Sequence, residues 1–229
     1  FVENSGFAIG TVNTVGLTTS GNTTLSSTGT VTQSAAITAA GLELLGTGGI
    51  YTLTNTSNAI TTLAGNTGTV SIAEGSGFAI GTVNTVGLTT TGNTTLNVNG
   101  TVTQSNLINV AGLELLGSNG TYTLTNTSNA VTTLAGNTKA VSLTENSGLA
   151  IGTVNTIGLT ASGNITLTVN GTVTQDQIVA AAGLELLGSN GTYTLTNTGN
   201  NITTLAGNTK IVSFAGNSGF AIGTVNTAG

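Results

Sequence analysis

Six glutamates fall into two evenly spaced series. Glu43, Glu114 and Glu185 each stand inside Leu-Glu-Leu-Leu, and Glu3, Glu74 and Glu145 form the second series, both at a spacing of 71 residues. Little else in the chain could do chemistry. There is no His and no Cys, the two cations are Lys139 and Lys210, and Asp176 is the one aspartate. Paired carboxylates can serve acid–base catalysis, and a ladder of them can collect calcium. Whether either is open here depends on the elements that position these residues.

The glutamates share their spacing with everything around them. Residues 5–14 (SGFAIGTVNT) return at 76–85, at 147–156 with Leu149 in place of the phenylalanine, and at 218–227. A period held without insertion means one structural unit stacked on itself. The chain is expected to be one continuous β-solenoid over 1–229, with repeats 5–75, 76–146 and 147–217, a partial fourth at 218–229, and no independent globular domain. Its ends fall inside a repeat and it contains no Met, so it reads as part of something longer.

Within a repeat, strand signals dominate. Residues 165–169 (ITLTV) alternate apolar and polar with period two, as do 51–54 (YTLT). Thr and Val are β-branched and suit a pleated surface. Residues 35–45 (AAITAAGLELL) carry some helical propensity, but Gly41 interrupts them and the third copy brings Ile178 and Val179, which makes them a strand. Gly- and Asn-rich turns recur at 20–22, 46–49, 56–58 and 65–67. Dividing the repeat by three gives roughly 24 residues per turn, enough for three short strands and three corners. About nine or ten such turns stack into a rod roughly 45 Å long. The expectation is an all-β parallel β-helix with about three turns per repeat.

Comparing the copies separates interior from exterior. Phe7, Phe78, Leu149 and Phe220 stay large and apolar; Val15, Val86 and Ile157 stay aliphatic, as do Ile60, Val131 and Ile202; Tyr51, Tyr122 and Tyr193 do not vary. These are the expected core rows, since buried volume is what packing holds constant. Positions such as Ser34, Ser105 and Asp176, or Gly68, Lys139 and Lys210, drift as a solvated face does.

The coil then bears on the carboxylates. Copies three turns apart stand roughly 14 Å from each other, whereas calcium gathers several oxygens within about 2.6 Å. The two series meet only where corners align. They are therefore expected to be solvated charges, with no catalytic, cofactor-binding or metal-binding residue, and the chain is not expected to be an enzyme. Thr-x-Thr pairs at Thr30/Thr32, Thr52/Thr54, Thr101/Thr103 and Thr123/Thr125 suggest an ice- or glycan-binding face, but about every third turn lacks one. Sequons occur, for example at Asn22 and Asn55. The net charge of −5, with charged residues at 4 %, gives no basic patch for nucleic acid, and no apolar run is long enough for a membrane helix.

Residues 6–14 (GFAIGTVNT), 16–22 (GLTTSGN), 29–34 (GTVTQS), 40–46 (AGLELLG) and 63–67 (LAGNT) resemble the repeat regions of filamentous-haemagglutinin-like exoproteins of bacterial two-partner secretion. The resemblance covers essentially the whole chain. It implies a right-handed parallel β-helix that forms an extracellular stalk or fibre on the bacterial cell surface and serves adhesion. Open sheet edges and low charge make neighbouring copies or flanking repeats the chain's expected partners, with host-cell or matrix glycans beside them, and no cofactor is expected. No binding motif of the family is present, so none of its functional residues carries over. Alternatives are a filament subunit joined end to end and a glycan- or ice-binding solenoid.

Overall fold

In the computed structural model, which describes residues 1–226, the chain coils into a parallel β-solenoid of about 11 turns with a 21-residue pitch. Twenty strands join one sheet, and every pairing between strands is parallel. No helix occurs among the described residues. At about 4.8 Å per turn the rod is roughly 50 Å long. Turns are shorter and more numerous than division of the repeat suggested.

Residues 35–45 do lie in a strand. Ile37–Leu53 runs 17 residues, as do Ile108–Leu124 and Val179–Leu195. Drawn straight, each would be about as long as the whole rod, at roughly 3.4 Å per residue. Each bends instead at a register shift, between Gly46 and Ile50 in the first copy. Gly46 has φ +119°, and a Cβ there would lie 2.1 Å from the Ser27 carbonyl oxygen of the turn below. Only glycine lets the coil turn that corner so close to its neighbour.

The core fills the coil from end to end. Leu42, Leu44, Leu53, Leu63, Ile72 and Ile80 are fully buried, and alternate residues face out. Tyr51, Tyr122 and Tyr193 are buried as expected, as are Ile60, Val131 and Ile202. Phe78 and Leu149 are buried too. Phe7 is half-buried and Phe220 is 39 % exposed, each in a turn with a described neighbour on one side only. The Val15, Val86 and Ile157 row is not core. These residues are 70, 56 and 64 % exposed, because they sit in small loops that leave the coil.

The repeat does not close on a whole number of turns, since 71 residues are three 21-residue turns with eight left over. The pairings trace the offset. Glu114 pairs with Thr95, and its column descends through Ser71 to Thr52, nine residues beyond Glu43 on the same strand. Glu185 pairs with Thr166, and its column descends through Ser142 to Thr123, nine residues beyond Glu114. Each copy of a residue therefore stands nearly half a circuit round from the copy before it. Identical residues face alternate flanks of the rod and do not line up in one ladder.

Candidate functional site

Glu43 lies on the outer side of its strand yet is only 1 % exposed. What covers it is a loop two turns above, residues 82–86. Gly81 and Gly87 close the loop's base, with Gly87 N–H donating to the Gly81 carbonyl at 2.8 Å, and Thr82 bridges Val86 antiparallel. Around Ala64, the base is tied to the turn beneath: Gly81 N–H donates to Leu63 O at 3.1 Å, and Gly65 N–H donates to Gly87 O at 2.9 Å. Ala64 is itself fully buried. The loop hangs past it like a strap.

At the strap's tip, Asn84 Nδ2 donates to Glu43 Oε2 at 2.8 Å and Thr85 N–H donates to Oε1 at 2.6 Å, while Thr24 Oγ1 donates to Oε2 at 2.7 Å from the turn below. Val83 packs over Gly41, where a Cβ would lie 3.0 Å from a Val83 methyl. Burial pushes the Glu43 carboxyl's pKa up, but the bonds from Asn84, Thr24 and Thr85 together outweigh it and hold the pKa down at about 2. The next copy repeats the arrangement. Glu114 accepts from Thr95 at 2.7 Å, Asn155 at 2.8 Å and Thr156 N–H at 2.6 Å. Its pKa is likewise lowered despite desolvation. Glu185 accepts from Thr166 and from Asn226, each at 3.0 Å.

The second series caps turns. Glu74, 1 % exposed, accepts from Ser76 N–H at 2.8 Å, from Ser76 Oγ at 2.7 Å and from Gly77 N–H. Glu145, fully buried, accepts from Ser147 N–H and Oγ at 2.9 and 2.8 Å and from Val131 N–H at 2.7 Å. Glu3 is half-exposed and makes the same Ser5 contacts at 3.0 and 2.8 Å. The expectation of solvated charges thus fails for every glutamate of both series except half-exposed Glu3. A carboxylate can be buried here because backbone and amide donors replace its water.

Two further rows of buried polar groups stitch the turns. Asn58 accepts from Ile37 N–H of the turn below at 2.8 Å and from Gln33 Nε2; its Nδ2 donates to Leu53 O at 3.2 Å and to Ala73 O of the turn above at 3.0 Å. Asn129 and Asn200 do the same with Gln104 and Gln175. Sequence reasoning read residues 56–58 as turn punctuation and missed Asn58. The available signal was that both partners, the Asn and a Gln 25 residues before it, recur in every copy. Tyr51 adds a third stitch: its hydroxyl accepts from Ser27 N–H at 3.0 Å and lies 2.9 and 2.5 Å from the Leu25 and Leu45 carbonyls. Burial raises the phenol's pKa in all three copies, to about 12 in Tyr193.

Among the described residues, no three His, Cys, Asp or Glu side chains come together as metal ligands. No helix among the described residues is long and apolar enough to cross a membrane. The Thr-x-Thr residues are exposed, but they do not form one array. Thr32 stacks on Thr52, whereas Thr123 belongs to the column of Glu185, nearly half a circuit away. A shallow groove of mixed polar and apolar lining does repeat beneath the straps. Thr52, Ser71, Asn93 and Asn155 line it with Tyr51 and Val70, about 250 Å³, and Thr123, Ser142, Asn164 and Asn226 line it again with Tyr122 and Val141, about 550 Å³.

No protein family, curated protein or solved structure matches the chain.

Proposed function

We propose that the chain is a structural rod: a stalk or fibre segment of a bacterial surface exoprotein, right-handed by the rule for parallel crossovers, acting as a rigid extracellular spacer. It belongs, on this reading, with the filamentous-haemagglutinin-like repeats that its sequence resembles. The observation that carries the proposal is where the polar chemistry goes. No buried side-chain N or O among the described residues lacks a hydrogen bond. The carboxylates, the Asn–Gln pairs and the tyrosine hydroxyls are engaged in bonds within a turn or between turns, and so are withdrawn from catalysis. The reading assigns no enzyme activity. Its partners are neighbouring or flanking repeats, and adhesion to host-cell or matrix glycans falls to other parts of the assembly.

The groove under the straps, where Thr, Ser and Asn side chains lie beside Tyr and Val, supports a second reading, a glycan-binding solenoid. One experiment separates them. The chain, and a version lacking residues 76–146, are displayed between a cell-surface anchor and a fluorescent reporter, and the reporter's height above the membrane is measured alongside binding to a glycan array. The deletion removes nearly three and a half turns while preserving the repeat phase. A spacer lowers the reporter by roughly 16 Å and leaves the array blank. Glycan capture that is abolished by Thr52→Val and Thr123→Val contradicts the spacer reading and establishes the other.

A further inference from the structure

Two corners of the coil hold a glycine in every copy, because neither has room for a Cβ. At Gly29, Gly100 and Gly171 a Cβ would lie 2.5, 1.8 and 2.1 Å from the carbonyl oxygens of Ser5, Ser76 and Ser147 in the turn below. At Gly49, Gly120 and Gly191 it would lie 2.2, 2.5 and 2.4 Å from those of Ser27, Val98 and Val169. The residue before each glycine is free to differ. It is Thr28 and Gly48 in the first copy, but Asn99, Asn119, Asn170 and Asn190 in the next two. These make the chain's four Asn-Gly pairs, and all four asparagines are exposed. The two corners hold the pair differently. Asn99-Gly100 and Asn170-Gly171 lie between strands. Among the described residues, neither the carbonyl of Asn99 nor the N–H of Gly100 makes a hydrogen bond, and the same is true of Asn170 and Gly171, so this peptide plane can turn without breaking one. In the first copy the Gly29 N–H donates to Ser27 Oγ at 3.1 Å, and Val98 and Val169 stand in that serine's place. Asn119-Gly120 and Asn190-Gly191 instead lie inside the strands Ile108–Leu124 and Val179–Leu195. Their glycines are buried, with carbonyls that accept from Thr138 and Thr209 Oγ1 at 2.8 and 2.9 Å.

We infer that Asn99 and Asn170 are sites of self-modification, each converting through a succinimide to aspartate and isoaspartate. The Gly100 nitrogen attacks Asn99 Cγ, its proton passing by way of water to the side-chain amide nitrogen. That Cγ–N bond breaks, ammonia leaves, and a five-membered ring remains. A water molecule then opens the ring at either carbonyl, giving aspartate or its β-linked isomer. Nothing is oxidised or reduced. Glycine leaves the attacking nitrogen unshielded, exposure supplies the water, and the free peptide plane lets nitrogen and Cγ meet. Asn99 Oδ1 accepts from the Asn119 N–H at 3.5 Å and Asn170 Nδ2 donates to Asn146 Oδ1 at 3.1 Å, single exposed bonds that water replaces at little cost. Asn119 and Asn190 offer the same dipeptide, but a buried strand must open before they react. Each conversion adds a carboxylate to a chain with only seven acidic residues and two lysines, and so raises the repulsion between rods lying side by side. The inference is independent of the spacer reading.

The test ages the whole 229-residue chain, folded, in mildly alkaline buffer beside a second sample kept unfolded in urea. Cleavage after glutamate then puts each site in its own peptide, 75–114, 115–145, 146–185 and 186–229. Mass spectrometry follows each asparagine for a gain of about 1 Da and for the isoaspartate isomer. In urea the four sites convert at comparable rates. In the folded chain Asn99 and Asn170 stay close to their rates in urea, while Asn119 and Asn190 slow by roughly tenfold or more. Two results overturn the inference. One is a folded chain in which all four sites convert together. The other is a folded chain whose Asn99 and Asn170 are still intact when the sample in urea has converted.

Discussion

A glutamate between leucines on an outward strand position would ordinarily meet water. In this chain it meets an asparagine and a backbone amide from two turns above, and that changes what pH does to it. Folding lowers the Glu43 carboxyl from its ordinary 4.5 to about 2. A group depressed on folding stabilises the native state above its ordinary range, and that contribution drains away as pH falls from 4.5 toward 2. Urea midpoints are therefore expected to drop steeply over that window in the wild type and less steeply in Glu43→Gln. Equal slopes would show that the strap does not hold the ionised form. The buried asparagines make a second case. Asn129→Ala removes the bonds that Asn129 makes to the Ile108 N–H and to the Leu124 and Thr144 carbonyls. It should cost about 3 kcal/mol or more, read from chemical denaturation, whereas exposed Asn109→Ala should change stability by less than about 0.5 kcal/mol. The sequence showed that Asn58, Asn129 and Asn200 recur. It did not show that they are buried, because Asn next to Thr and Ser reads first as a turn.

At the scale of elements, the strap works because the strand beneath it carries a residue too small to obstruct it. Ala64 and Ala135 lie between the strap's base and its carboxylate, each fully buried. Ala135→Leu is expected to lift the strap formed by residues 153–157 off Glu114, and the Thr156 amide, now 2.6 Å from that carboxylate, should lose its exchange protection. Retained protection would mean that the strap is held by its base alone. The straps also explain the one core row that was misread. Val15, Val86 and Ile157 keep an aliphatic side chain at a fixed spacing, which is the signature of packing, yet they stand outside the coil on loops closed by pairs of glycines. Strand positions were legible because alternation of apolar and polar residues dictates which side faces in. Loops closed by contact with a strand about 40 residues earlier leave no such local pattern.

For the whole molecule, the mismatch between a 71-residue repeat and a 21-residue turn decides what the rod can present. Corresponding groups emerge on alternate flanks, so no flat array of identical side chains builds up along one side. Ice or calcium ladders need such an array. A spacer does not, and it gains from having latches on both flanks, since bending toward either flank then loads some of them. The repeat itself was plain in the sequence, and so was the stacked architecture. The half-circuit offset was not, because the length of a turn is set by corner geometry at glycines such as Gly46 and by the strap excursions, neither of which composition reveals. On this structure, straps lock consecutive repeats into one mechanical unit. Single-molecule pulling along the rod axis tests it most directly, comparing the wild type with the Asn84→Ala/Asn155→Ala variant. The wild type should resist and then yield in steps near the contour length of one repeat, about 240 Å for 71 residues, and the variant should yield at lower force and in smaller steps. Smooth turn-by-turn peeling of the wild type, unchanged by loss of both asparagines, would contradict the claim.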